Sequence, residues 1–445
     1  MKAMSALFIA ALLASQAQAA AVDTSLRPVA RPAAATVDSN GSDLLLAQSP
    51  RPRLRPAALI RNAPVTGPAD PAKIAGMRRW VKDFRRRAMA EGVTGATFDR
   101  AFRGADYNAD VIARDRNQSE FVKPIWDYLA SAASDKRIAN GKEMLARHRD
   151  TLTEIEDRYG VAREVVVAVW GMESAYGEYR GSINVIEALA TLAYDGRRGR
   201  FFEQQLIAAL KILQNGDTLP ANMTGSWAGA MGHTQFIPTS YEAYAVDFRS
   251  DGRRDIWSED PTDALASTAA YLSRFGWIRG MPWGVEVRLP DGFDYGQVAR
   301  SNRKMPSQWA QLGVLGRDGR AVPDYGAAYV LLPAGARGAA FLVFKNFDVI
   351  KRYNAADAYA LGVGHLSDRL IGGGPIESSW PTGDRALTRD ERKELQRRLT
   401  ARGFNTRGVD GRIGPNTVKA IRGFQRSAGL TPDGHASHRL LIRLR

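Results

Sequence analysis

Apolar residues recur every three or four positions through most of residues 71–374, the spacing of helices with one buried face. Residues 71–102 predict helix, with Ile74, Met77, Trp80, Val81 and Phe84 on one side and Arg85-Arg86-Arg87 on the solvated side. A second amphipathic stretch covers 142–159 with Gly160 as its stop, and a third covers 184–192. Phe202, Leu206, Leu210 and Leu213 line a fourth, which ends at Asn215-Gly216. Asp260 and Pro261 open a fifth, with Leu265, Ala269 and Leu272 on one face. Residues 163–172 are ambiguous, because Val165-Val166-Val167 favours strand and a buried helix looks like a buried strand over this length. The adjoining periodic segments are helical, and we read helix. Residues 285–289 alternate like a strand, and 329–332 with 341–344 read as a hairpin. Helix resumes at 348–354 and 359–361 and ends at Gly372-Gly373-Gly374-Pro375. The pattern is mainly α with a small β subdomain.

The flanks differ in composition. Residues 1–19 carry basic Lys2, a short apolar run and Ala17-Gln18-Ala19, and read as a cleavable signal peptide. Residues 20–70 are rich in Ala, Pro and Arg and read as a disordered linker. Residues 71–374 form the main domain, 375–385 a linker and 386–445 a small module of three helices separated by Asp410-Gly411 and Asp433-Gly434. Leu395, Leu399, Phe404, Ile413, Val418, Ile421, Phe424 and Leu430 supply its core.

The chain has no cysteine, which excludes disulfides, thiol nucleophiles and thiolate metal sites. Its 62 basic and 47 acidic residues give a net charge of +15. Residues 385–445 hold most of it, with fifteen Lys and Arg against five Asp and Glu. Nucleic acid matches such a charge, but an exported protein meets cell-wall carboxylates instead. No cysteine follows the leader to carry a lipid, so the expectation is a soluble periplasmic protein with no membrane anchor and no nucleic-acid partner.

Chemistry centres on Glu173, where the run from Val165 to Met172 stops at one carboxylate. Apolar surroundings disfavour its charged form, as a general acid requires. Gly177 and Gly181 are expected to bring backbone close to a ligand, and Tyr176 and Tyr179 to offer faces for sugar rings. The competing reading is a buried Glu paired with an arginine such as Arg180. Arg197-Arg198 reads either as a solvated face or as a grip on carboxylates or acetamido oxygens. Residues 226–238 are rich in Gly and Ala. They read equally as a ligand-approach loop, with Ser226 and Gln235 as polar contacts, or as a tightly packed core loop. Residues 247–258 echo a calcium loop, with Asp247, Asp251 and Asp255 at positions one, five and nine and Gly252 at six. Arg249 and Ser258 stand where an oxygen ligand and a bidentate acid belong, so calcium is expected to bind weakly or not at all.

Together these windows resemble the soluble lytic transglycosylases related to membrane-bound lytic transglycosylase B, followed by a peptidoglycan-binding domain. The first resemblance rests on Glu173-Ser174, Ala188 to Leu192, Arg197-Arg198, Gly229-Ala230-Met231-Gly232, Gln235-Phe236-Ile237-Pro238, Tyr241, Val246-Asp247-Phe248 and Arg352-Tyr353-Asn354. The second rests on Leu395-Gln396, Asp410-Gly411, Ile413 to Thr417, Ala420-Ile421, Phe424-Gln425 and Asp433-Gly434. The resemblance implies a lysozyme-like fold whose single glutamate cleaves the MurNAc to GlcNAc bond of peptidoglycan. It makes Glu173 the catalytic acid and base. Ser226, Gln235, Tyr353, Asn354 and Tyr359 become glycan contacts, and Arg197 and Arg198 become contacts to lactyl or peptide groups. It implies no cofactor beyond the doubtful calcium, and partners among cell-wall synthesis or division proteins. Two alternatives stand beside it. A muramidase on the same fold needs a second carboxylate about 5 to 9.5 Å away, for which Glu178 is nearest in sequence. The other is an inactive wall-binding protein.

Overall fold

The computed structural model describes residues 70–116 and 123–445. The expected signal peptide, residues 20–69 of the expected linker and Phe121-Val122 lie outside the described residues.

Helix boundaries follow from capping chemistry. The Asp70 carboxylate accepts from Ala72 N–H (2.8 Å) and Pro71 sits in the first turn, which starts α1 (Pro71–Ala90). Where periodicity predicts one helix over 71–102, the chain forms two. Gly92 takes φ +89° and Thr94 caps Thr97 N–H, starting α2 (Gly95–Ala101). After α3 (Ala109–Arg116) and α4 (Ile125–Ala132), the 142–159 stretch likewise divides. Ser134 caps α5 (Asp135–Arg147), His148 departs from helical geometry, and α6 (Arg149–Tyr159) ends on Gly160 in the left-handed region.

The ambiguous segment is α7 (Arg163–Ser174), a helix buried over most of its length. It packs against α5, α6, α11 (Thr262–Arg274) and α14 (Asp357–Leu370), so tertiary burial overrides the strand preference of its valines. Around this centre run α8 (Val185–Asp195), α9 (Gly199–Asn215), α10 (Pro238–Tyr244) and α13 (Lys345–Tyr353). Between α11 and α13 lies the short α12 (Pro306–Gln311).

Two antiparallel sheets complete the domain. In the smaller, β1 (Ile183–Asn184) pairs with β2 (Thr224–Gly225). The larger has the order β4 (Leu315–Gly316), β3 (Gly284–Arg288), β6 (Ala340–Val343), β5 (Tyr329–Leu331), with Val330 opposite Leu342 in the expected hairpin. Trp309, Phe344 and Leu342 anchor a separate core beneath it.

The C-terminal module contains α15 (Arg389–Ala401), α16 (Pro415–Ser427) and α17 (His438–Leu444). Leu395, Leu399 and Ile421 are buried as expected, joined by Leu440, Leu441 and Leu444. The segment before it is bound to the main domain. Glu286 accepts from Glu377 N–H (2.9 Å) and Ser378 N–H (2.8 Å), and Arg337 pairs with Asp384 (2.9 Å). The module itself docks through Asp433, which accepts from Ala336 N–H (2.9 Å), and through Arg422, which donates to the Val298 carbonyl (2.9 Å).

Candidate active site

Glu173 sits near the C-terminal end of α7 and is only 5% exposed. The Tyr359 hydroxyl on α14 donates to its Oε1 at 2.7 Å. The Tyr359 ring lies parallel to Tyr353 at 6.5 Å, and the Tyr353 hydroxyl donates to the Thr234 carbonyl (2.6 Å). These contacts bring Glu173, Tyr353, Tyr359 and the loop holding Gln235 into one connected group. Asn354 follows Tyr353 at the end of α13, where its Oδ1 accepts from Ala356 N–H (3.1 Å).

The chain then turns sharply. Ala175 (φ 51°) and Tyr176 (φ 63°) are both left-handed, which costs roughly 1–3 kcal/mol per residue. The Ser174 hydroxyl donates to the His233 carbonyl (2.5 Å) and accepts from Gly177 N–H (2.9 Å). Tyr176 is half-buried in this turn. Its ring packs over Gly171 and Gly141, its hydroxyl donates to the Arg137 carbonyl (2.8 Å), and its edge meets Trp170. Tyr179 is 47% exposed. Arg180, the arginine nearest in sequence for the competing reading, binds the Glu259 carboxylate and the carbonyls of Trp257 (3.1 Å) and Ser258 (2.8 Å) instead.

The small residues of 226–238 and of the turn are packing requirements. A Cβ on Gly229 would meet Leu189 at 2.6 Å, and one on Gly232 would meet the Ile256 carbonyl oxygen at 2.2 Å. One on Gly181 would strike the Gly225 backbone, and one on Gly177 the His233 ring. The close approach seen at Gly177 and Gly181 is of chain to chain, and Gly177 also lines a cavity. Within the loop the Ser226 hydroxyl oxygen accepts from Ala230 N–H (3.1 Å) and Ala228 N–H (3.3 Å). Buried Gln235, itself left-handed at φ 55°, donates to the carbonyls of Gly232 (2.9 Å) and Arg180 (3.0 Å).

Arg197 and Arg198 converge on a carboxylate of the chain itself. Arg197 forks onto Asp115 of α3 (2.7 and 2.5 Å), and Arg198 reaches the same group at 3.3 Å. Asp115 is almost fully buried, while half of the Arg197 side chain stays exposed. The pair thus ties α3 to the start of α9. A cavity of about 390 Å³ lies beside the turn after Glu173, lined in part by Glu143, Trp170, Tyr176, Glu178, His233 and Glu259. Glu173 is not on its wall.

In the 247–258 loop, the Asp247 carboxylate accepts from Asp251 N–H (3.1 Å) and Gly252 N–H (2.8 Å). Asp255 accepts from Trp257 N–H (2.8 Å) and Ser258 N–H (3.0 Å). Asp263, outside the motif, accepts from Phe248 N–H and Asp255 N–H. Burial, with Asp247 and Asp251 adding to it, pushes the Asp263 carboxyl up to about 7 despite those bonds. Arg249 leaves the loop for Glu154 (2.5 Å) and Thr151 (3.1 Å). With Arg249 at position three turned away to Glu154 and Ser258 at position twelve, the loop lacks two members of the calcium ligand set.

Sequence reasoning missed His233, Asp115 and Asp263 as organising residues. Each works on a partner distant in the chain or in a separate element. The one local signal is Gly177, whose missing side chain leaves room for the His233 ring.

The chain matches the transglycosylase SLT domain over residues 76–368 and a putative peptidoglycan-binding domain over 388–444. Membrane-bound lytic murein transglycosylase B of Escherichia coli (strain K12) is 34% identical over 240 residues, which is 52% of this chain and 63% of that protein. Less than two thirds of that relative is therefore spanned. Among solved structures, SltB3 from Pseudomonas aeruginosa in complex with NAG-anhNAM-pentapeptide is 52% identical, with a TM-score of 0.81 over 83% of this chain and 99% of that one. The Escherichia coli lytic transglycosylase Slt35 in complex with calcium is 28% identical, with a TM-score of 0.56 over 65% of this chain and 92% of that one.

Proposed function

We propose that this chain, which belongs to the transglycosylase SLT domain family, is a lytic transglycosylase that cleaves the MurNAc-GlcNAc β-1,4 bond of peptidoglycan without water. The observation that carries the reading is Glu173, buried at the end of α7 and held at Oε1 by Tyr359. Glu173 begins protonated and gives its proton to the glycosidic oxygen as the bond to the anomeric carbon breaks. The 2-acetamido oxygen of the MurNAc unit shields the cation. Glu173, now a carboxylate, takes the proton of the same sugar's 6-hydroxyl, whose oxygen closes a 1,6-anhydro ring. An intramolecular hydroxyl competes with water at an effective concentration of up to about 10⁵ to 10⁸ M in well-oriented cases.

Glu178, the nearest second carboxylate in sequence for a muramidase, is exposed and lines the cavity to which Glu173 does not contribute. Ser226, Gln235, Tyr353 and Asn354 are assigned to glycan contacts, and Tyr359 to holding Glu173 as well. Arg197, half-exposed on Asp115, keeps donors for a lactyl or peptide carboxylate. We assign residues 71–374 to catalysis, 375–385 to the connection and 386–445 to wall binding. Residues 1–19 would be a signal peptide that sends the protein to the periplasm, where cell-wall synthesis or division proteins are its candidate partners. Among the described residues no helix is long and apolar enough to cross a membrane.

Mass analysis of the soluble products from purified sacculi tests the reading. Anhydromuropeptides support it. Reducing muramic acid ends would indicate a muramidase, and binding without release an inactive wall protein.

A further inference from the structure

One histidine contacts the strained turn after Glu173 through both its main chain and its ring. The His233 carbonyl takes the Ser174 hydroxyl (2.5 Å), its N–H donates to the Ile256 carbonyl (3.0 Å), and its ring joins two further elements. Trp170 Nε1 on α7 lies 3.1 Å from His233 Nδ1, and the Ser258 carbonyl lies 2.7 Å from Nε2. An indole N–H can only donate, so Nδ1 is the acceptor and Nε2 carries the proton it gives to Ser258. Arg180 Nη1, 3.2 Å from Nε2, cannot donate to an N–H and bonds the Ser258 carbonyl instead (2.8 Å). Gly177, at φ +90°, leaves the room the ring occupies, since a Cβ there would lie 2.6 Å from Nδ1.

We propose that His233 is a positioning residue for Glu173, holding the catalytic turn through its carbonyl and its neutral Nε2–H ring. This rests on the reading of Glu173 as the acid. Protonating Nδ1 would set one N–H against the Trp170 N–H and add a cation beside Arg180, releasing the turn. The charged and titratable groups around the ring are Arg180, Glu259 and Asp255, His148 and Tyr176 against Trp170, and Glu143, Arg147 and Glu178 of the cavity lining. Burial lowers the His233 pKa most. The Ser258 carbonyl opposes it, Arg180 reinforces it, and Glu259 and Asp255 oppose it. The neutral form therefore persists below the ordinary value of about 6.5. A mechanism with one initially protonated acid loses kcat/KM only toward alkaline pH, so any acid limb has another source. We assign that limb to His233.

The test measures kcat, KM and pH profile on a soluble muropeptide for the wild type, His233→Gln and His233→Leu, with melting curves for each. A Gln amide can still donate toward Ser258 and does not titrate. We expect His233→Gln to lose less than about tenfold in kcat and to lack the acid limb. We expect His233→Leu to lose about 100-fold in kcat with KM little changed. A folded Leu variant with wild-type kcat, or a Gln variant with the acid limb intact, overturns the inference. If the Leu variant does not fold, the Gln profile alone decides. Turnover that survives Glu173→Gln would overturn the assignment of Glu173 and this inference with it, whereas unchanged His233 variants overturn this inference alone.

Discussion

The Tyr359 hydroxyl donates to Glu173 Oε1 at 2.7 Å, joining α14 to α7 across 186 residues of sequence. A donor at Oε1 restricts the carboxyl rotamer, which on the proposed reading aims the acid before substrate arrives. Removing the hydroxyl keeps the ring and its parallel neighbour Tyr353. Tyr359→Phe should lower kcat by about 10-fold to 100-fold, a loss of roughly 1.4 to 2.7 kcal/mol in transition-state stabilisation, with little change in melting temperature. Steady-state kinetics on a soluble muropeptide checks it, and wild-type kcat would contradict it.

Calcium should leave the protein unaffected. Arg249 stands where an oxygen ligand belongs and ties the loop to Glu154 on α6, and Ser258 stands where a bidentate acid belongs. Melting in millimolar calcium and in magnesium should give the same midpoint. A rise of several degrees with calcium alone would show that the loop rearranges around a metal.

Asp368 carries a pH signature in stability. Burial raises its carboxyl to about 7, against the Trp283 indole that donates to it (2.9 Å) and with Glu164 adding to the rise. The unfolded chain releases this proton near the ordinary value of about 3.9, so the stability it contributes is full below that pH and is lost as pH climbs toward 7. Asn cannot ionise and still accepts from Trp283. Asp368→Asn should melt a few degrees above the wild type at about pH 8 and show no gain at about pH 4. Equal melting curves at both pH values would contradict it.

The C-terminal module should supply most of the attraction to the wall, because it carries most of the excess positive charge. Deleting residues 386–445 should weaken pelleting with sacculi and flatten its dependence on salt. The same pelleting at every salt concentration, with and without the module, would contradict it.

Glu173 was legible because an apolar run ended on one acid, a local signal. Tyr359, Tyr353 and Asn354 were reachable only through the family resemblance, since nothing near residue 359 points to a carboxylate on another helix. The Arg197-Arg198 pair was visible, but its partner was not. Asp115 lies some eighty positions upstream, and only folding makes it the buried anion that holds them. Residues 226–238 stood in view as a small-residue loop with two readings. Their close contacts with Leu189 and Ile256 favour packing, a result set by partners outside the loop. The breaks at Gly92 and His148 fell inside unbroken amphipathic patterns; the Thr94 cap marked the first, and no side-chain cap marks the second. A strand as short as β4 exists only by pairing with β3 and leaves no periodicity to read.

The central claim is that Glu173 acts alone and that the substrate's own hydroxyl, not water, closes the reaction. Digesting sacculi in water enriched in heavy oxygen and weighing the muramic ends tests it directly. The account predicts anhydromuropeptides with no solvent oxygen, and almost none of them from a Glu173→Gln variant that still folds and binds. Reducing muramic acid carrying solvent oxygen as the main product would contradict it.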